Sequence, residues 1–155
     1  MQRPIRRADR ALTNEQAIEI LQKGEYGILS TVSDDGQPYG VPVSFAYAGN
    51  ALYFHCAVEG HKLDNLSSNP RISFCVVGAT EVLPDKFATR YESAIVFGKA
   101  SELTGDEKHS GLTALLKKYS TAFQEKGERY INSDIEKTRV FKIEIESLSG
   151  KAKNR

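Results

Sequence analysis

The chain has 155 residues and a mass of 17.2 kDa, enough for one domain with its own core. Apolar residues make up 40% and charged residues 26%, which excludes wholesale disorder, and no run approaches the ~18 apolar residues that span a bilayer. Twenty-one basic against 20 acidic residues leave a net charge of +1, which does not suit a protein whose main partner is a long polyanion.

The N-terminus is basic but has no apolar run behind it, so it is not a secretory signal and a cytoplasmic protein is expected. The whole of 1–155 reads as one domain. Residues 1–10, with Arg3, Arg6, Arg7 and Arg10, and residues 149–155, with Lys151, Lys153 and Arg155, read as solvated tails. Cys56 and Cys75 each lie inside an apolar run, the setting of buried thiols rather than a disulfide.

The first element is a helix. Thr13 caps it, Gln16 closes a capping box, and Leu12 is placed to staple onto Ala17. Ala17, Ile18 and Leu21 share a face, and Gly24 ends the helix. Tyr26 to Val32 is a β-rich run, followed by the turn Ser33-Asp34-Asp35-Gly36. Tyr39 to Tyr47 is the next strand. Pro38 and Pro42 remove two donors near its start, so it is bent or lies at an edge. Ala48-Gly49-Asn50 then turns into a third strand, Leu52 to Ala57.

A short helix from Lys62 to Asn69 stops at Pro70. Arg71 to Gly78 is a fourth strand, Ala79 to Tyr91 an irregular stretch, and Ser93 to Leu103 a fifth strand. A helix starts at Gly105-Asp106-Glu107, acids first as the macrodipole favours. Thr121 to Lys137 is a polar connection with a helical turn or two. Thr138 to Ser147 is the last strand, with Phe141, Ile143 and Ile145 alternating with Lys142, Glu144 and Glu146. Six antiparallel strands with peripheral helices predict a mainly β fold closed into a small barrel, which removes exposed sheet edges.

The most informative segment runs from Tyr53 to Leu63. A strand ends near Ala57, Gly60 permits a turn, and His61 and Lys62 open a helix. Cations at a helix N-terminus suit an anion, phosphate above all. The same pattern also occurs on solvated helix caps. His55, Cys56 and His61 do not have the spacing of a zinc finger. Nothing in the sequence marks a third group for a Cys56–His nucleophilic pair. His55 alternates with Phe54 and Cys56 and faces the opposite side of the strand from them.

Taken together, Gly27–Val32, Asp35–Val43, Leu52–His55, Gly60–Leu66 and Asn69–Phe74 resemble the flavin-binding split-barrel superfamily, which includes pyridoxamine 5′-phosphate oxidase. Within it they resemble most the nitroimidazole-resistance (Nim) branch. Arg90–Ala100 and Ser149–Ala152 extend the resemblance, which covers about Arg6 to Lys153. It implies a six-stranded antiparallel split barrel and a homodimer with FMN at the subunit interface. Charge, apolar run length and ligand spacing lead to no expected nucleic-acid, membrane or metal partner.

The resemblance also assigns residues. Val41, Pro42, Val43 and Ser44 would lie along the flavin ring, largely through backbone groups. His55 and Cys56 would flank the ring or its ribityl chain, and His61 and Lys62 would bind the phosphate. Ser93 would stand where relatives place a polar residue that reaches the phosphate end. His55 is the one candidate for a proton donor. The vitamin-synthesising oxidases usually have arginine at the place of His61, and they carry a C-terminal segment with tryptophan and arginine that binds substrate. This sequence has no tryptophan, so pyridoxamine phosphate is not the expected substrate.

The resemblance therefore implies an FMN-dependent oxidoreductase acting on small acceptors such as nitro-aromatics or quinones. No dinucleotide fingerprint is present, so NAD(P)H would dock transiently as donor. A flavin store or sensor without turnover, and a barrel holding haem on His55, are the alternatives.

Overall fold

The computed structural model describes residues 2–153. A 3-10 turn at Ala8–Arg10 leads into helix α1 (Asn14–Lys23). Its capping box is formed: the Gln16 N–H donates to Thr13 Oγ1 at 3.2 Å, and the Thr13 N–H donates to Gln16 Oε1 at 3.0 Å. The buried face is Ala17, Ile20 and Leu21, with Ile18 only half-buried, because i, i+3 and i+4 share a side of the helix. Gly24 ends α1 in an extended conformation. A Cβ there would collide with Val76, so close packing on the sheet, not a left-handed cap, calls for glycine.

Strands β1 (Gly27–Val32) and β2 (Pro38–Val43) pair antiparallel from Gly27↔Val43 to Val32↔Pro38. The strand expected over Tyr39–Tyr47 breaks at Ser44-Phe45. Beyond the break lies a separate strand, β3 (Ala46–Ala48), paired with β4 (Ala51–Cys56). Gly49 and Asn50 join them with φ of 55° and 60°, the two left-handed residues of a type I′ hairpin turn. Helix α2 (His61–Ser68) comes next, then β5 (Arg71–Leu83) and β6 (Ala88–Leu103). Helices α3 (Gly105–Tyr119) and α4 (Gln124–Asp134) precede β7 (Arg139–Lys153).

The sheet therefore has seven strands rather than six, all pairs antiparallel, in the order β2-β1-β5-β6-β7-β4-β3. Its two outermost strands, β2 and β3, are separated in the chain only by Ser44 and Phe45. The sheet must curl until its ends meet, which makes a split barrel.

Three more expectations are corrected. The stretch Ala79–Tyr91 is not irregular: β5 and β6 run on as a hairpin arm to Leu83↔Ala88, with a register shift between Val77 and Thr80. Its tip is the 3-10 turn Pro84–Lys86, and an Arg90–Glu81 ion pair of 2.8 Å crosses it. The polar connection contains an 11-residue helix, α4, which buries Ile131. The C-terminal segment is not a tail as far as Lys153: Ser149 pairs with Ile95, Gly150 with Ala94 and Lys151 with Ser93. Ala11 bridges Lys151, and the Leu12 N–H donates to the Gly150 carbonyl at 2.9 Å. Met1, Asn154 and Arg155 lie outside the described residues. Both cysteines are free and half-buried rather than fully buried. Among the described residues no helix is long and apolar enough to cross a membrane.

Two apolar clusters hold the fold. The larger fills the barrel with Leu29, Phe45, Leu52, Phe54, Phe74, Val76, Val96 and Ile143, and α1 adds Ile20 and Leu21. The smaller joins the outer side of β4 and β7 to α3 and α4 through Leu112, Leu115, Ile131 and Val140.

At the strand break, Phe45 is fully buried and meets Phe74 edge-on at 5.0 Å. Its backbone groups have no strand partner and are satisfied from α3 instead. The Phe45 N–H donates to Tyr119 Oη at 3.0 Å, the Tyr119 hydroxyl donates to the Glu25 carbonyl at 2.6 Å, and the Lys118 ammonium donates to the Phe45 carbonyl at 2.8 Å. Lys118 Nζ also lies 3.7 Å from the centre of the Phe45 ring.

Tyr119→Phe leaves the Phe45 N–H and the Glu25 carbonyl short of a partner, and should cost about 1–3 kcal/mol in urea unfolding. Tyr130→Phe, at an exposed position, should cost nothing measurable. Burial pulls the Lys118 ammonium down to about 8. A lysine depressed in the folded state binds fewer protons there than in the unfolded chain between the two pKa values. Stability should therefore rise from about pH 8 to about pH 10.5, and this rise should vanish in Lys118→Met, followed by melting temperature against pH.

Candidate functional site

Among the described residues, the strand break leaves two strand edges without ladder partners. Strand β2 pairs with β1 on one side and has a free edge on the other. Along β4, Ala51 to Tyr53 pair with β3, but Phe54, His55 and Cys56 pair only with β7. Two unpaired edges thus diverge from Phe45: one lip is Val41–Ser44, the other Phe54–Cys56. A free strand edge presents N–H and C=O groups with no ladder partner.

Helix α2 closes the far end of the split. The buried Asn65 donates from Nδ2 to Thr31 Oγ1 at 2.9 Å, which docks α2 on β1. The Tyr39 and His61 rings lie 4.1 Å apart at 31°, which joins the start of β2 to the start of α2. Gly60 precedes the helix at φ 152°, a conformation side chains rarely adopt. The first intrahelical bonds run from the Leu63 and Asp64 N–H groups to the Gly60 carbonyl. The N–H groups of His61 and Lys62 precede them, at the positive end of the helix dipole. The Lys62 ammonium, the His61 ring N–H and these amides form a donor set suited to a phosphate.

The structure brings most of the expected site residues to this split. Val41 and Val43 turn inward onto the barrel core, while Pro42 and Ser44 alternate outward. Cys56 packs inward with the valines. His55 faces outward, toward α3 and α4, so it and Cys56 lie on opposite sides of their lip. His55 keeps a solvent-exposed edge, yet the protein around it holds its pKa below the ordinary histidine value, which favours a neutral ring.

Cys56 lies within electrostatic reach of Lys62 and Arg139. Burial outweighs both cations and pushes the thiol up, so it is protonated at neutral pH and not an activated nucleophile. Arg139 is held by a two-point contact with Glu102, at 2.9 and 2.6 Å. Among the described residues no group of three or more His, Cys, Asp or Glu could hold a metal ion.

Ser93 is placed elsewhere. Pro42, Ile28, Cys75, Ile95 and Ser149 lie in register across five strands, and Ser93 stands two residues beyond Ile95 on β6. Within one chain it is three strand spacings, roughly 14 Å, from β2. It shares the outer face of the sheet with an apolar patch in which Val77, Ile95 and Phe97 are 57%, 38% and 39% exposed.

Tyr39, Thr31 and Asn65 are parts of the site that sequence reasoning missed. Asn65 leaves only the signal of a polar residue next to the apolar Leu66; its burial is a tertiary fact.

A family profile described as pyridoxamine 5′-phosphate oxidase matches residues 13–152. An uncharacterized protein of Rhizobium meliloti (strain 1021) is 27% identical over 152 residues, covering 92% of this chain and 94% of its own. The fold is similar to that of a FAD-binding protein from Mesorhizobium loti, at 25% identity, with 94% and 98% of the two chains covered and a TM-score of 0.68. It is also similar to a candidate 5-nitroimidazole antibiotic resistance protein from Bacteroides thetaiotaomicron, at 21% identity, with 92% and 86% covered and a TM-score of 0.75. By the profile match over most of its length, the chain belongs to the pyridoxamine 5′-phosphate oxidase family.

Proposed function

We propose that the chain binds FMN in the split between β2 and β4 and works, as a homodimer, as a flavin-dependent oxidoreductase on small acceptors such as nitro-aromatics or quinones. The observation that carries this reading is the split itself: two free strand edges that end at a helix N-terminus bearing His61 and Lys62. Two unpaired strand edges, with a helix N-terminus and a lysine at one end, suit a planar ring on a chain terminated by a single phosphate. The similarity to a FAD-binding protein from Mesorhizobium loti supports a flavin, and the one terminal anion site favours the mononucleotide.

The residues have separate tasks. Lys62 contributes a point charge to the phosphate, His61 a ring N–H, and α2 its first amides. The backbone of Val41–Ser44 offers hydrogen bonds to the polar edge of the ring, while Val41, Val43 and Cys56 supply an apolar floor. His55, neutral and outward, can give or take a proton at the lip. When bound, the flavin supplies hydride and electron exchange, with NAD(P)H docking transiently as donor.

The outer sheet face supports the dimer. Val77, Ile95 and Phe97 would otherwise leave an apolar patch in water, where an antiparallel sheet normally shows polar residues. Ser93 lies on that same face, so a second copy packed there is the arrangement in which Ser93 can approach a flavin.

Removing a charge-assisted phosphate contact costs roughly 1.5–3 kcal/mol. Lys62→Ala should therefore weaken FMN binding roughly tenfold to a hundredfold in fluorescence titration, and an unchanged Kd would remove Lys62 from the site. Ile95→Asp should convert the dimer to a monomer in sedimentation. A wild-type chain that sediments as a monomer at micromolar concentration would overturn the dimer. Oxidation of NAD(P)H with a quinone or nitro-aromatic acceptor tests turnover. Its absence in the FMN-loaded protein would leave a flavin carrier.

A further inference from the structure

The helices α3 and α4 do not seal against the barrel. Between them and the outer side of β4 lies a cavity of about 610 Å³. Leu116 and the buried Ile131 form its apolar wall. Tyr119, Phe123 and Tyr130 stand around its mouth and are 42%, 63% and 68% exposed. Ser44 and His55, both exposed, supply its polar lining on the barrel side. These are the outward-facing residues of the two lips, so the cavity meets the split from the helical side.

We propose that this cavity binds a second small molecule, a flat uncharged aromatic or quinone ring with an oxygen acceptor, held beside the flavin. This placement rests on the flavin reading above. The cavity is of the size that takes small organic ligands, and its lining has their usual pattern of apolar walls with a few converging polar groups. Aromatic side chains left in water around a concave mouth gain contact area when a ring enters between them.

The polar end sets the charge of the ligand. Ser44 brings a hydroxyl, and a neutral imidazole at His55 brings one N–H donor and one acceptor, so the pair suits an oxygen without net charge. Lys126 and Asp134, also in the lining, carry opposite signs and together favour neither anion nor cation. A larger hollow of about 900 Å³ between α1, β3 and α3 differs on both counts. It carries Lys117, Lys118 and His109, and it includes neither Ser44 nor His55.

Menadione is the probe, with binding to the FMN-loaded full chain followed by equilibrium dialysis. Phe123→Ala and Tyr130→Ala remove exposed rings, so the fold should survive, as circular dichroism can check. Each should weaken menadione binding about fivefold, the worth of one aromatic contact, and leave FMN affinity unchanged. Menadione affinity untouched by both substitutions would overturn the proposal. Equal weakening of menadione and FMN would overturn it too, since the cavity would then hold the flavin itself. If the wild-type chain takes up no FMN while menadione binding still falls in Phe123→Ala, the flavin reading fails and the cavity stands.

Discussion

The fold depends on where two backbone groups of one residue find their partners. At Phe45 the chain leaves the edge of β1 and joins the edge of β4, and between the two it belongs to neither ladder. A buried N–H or carbonyl without a partner costs about 1–3 kcal/mol, so a strand cannot simply be torn between two edges inside a core. Tyr119 and Lys118 meet that need from α3. With them in place the ring of Phe45 can stay in the barrel core against Phe74, while the backbone on either side diverges. The split, its two free edges and the access of solvent to the lips all result from this local exchange of strand bonds for side-chain bonds.

That exchange also explains which features are legible in the sequence and which are hidden. The capping box at Thr13 and Gln16, the type I′ turn at Gly49-Asn50 and the stop of α2 before Pro70 are local. Each is written within a few residues by a side chain or a backbone angle. The break at Ser44-Phe45 is different. Tyr39 to Tyr47 is β-prone throughout, and the groups that interrupt it come from a helix more than 70 residues later. Local propensity favours a single strand there, and tertiary hydrogen bonding overrides it. The C-terminal end of β7 is hidden in another way. Ser149, Gly150 and Lys151 lack apolar alternation, and they are strand because Ile95, Ala94, Ser93 and the chain around Ala11 and Leu12 pair with them.

The candidate site divides along the same line. That His61 and Lys62 open a helix behind Gly60 can be read from residue type and position alone, because a helix start is a local arrangement. Alternation places His55 opposite Cys56 correctly. Their environments, however, are tertiary facts: the helical cavity around His55, and the burial that outweighs Lys62 and Arg139 at the Cys56 thiol. Ser93 shows the limit most clearly. Its strand is legible, but only register across β1, β5 and β6 shows that it stands apart from α2 within a single chain.

The positions of charge then bear on how the two sides of the split divide the work. The α2 end of the split carries Lys62 and the ring N–H of His61, where the positive end of the helix dipole adds to them. The lip that faces the helical cavity carries a hydroxyl and a neutral ring instead. An anionic group is thus drawn to one end of the cleft and given no partner at the other. A ligand with one charged terminus and a flat uncharged body is oriented by that asymmetry alone. Its polar chain lies toward α2, and its ring toward the lips where β2 and β4 part. The same strand break also sets the direction of the split, because the lips are closest at Phe45 and the contact of Tyr39 with His61 ties the other end of β2 to the start of α2, where Lys62 stands.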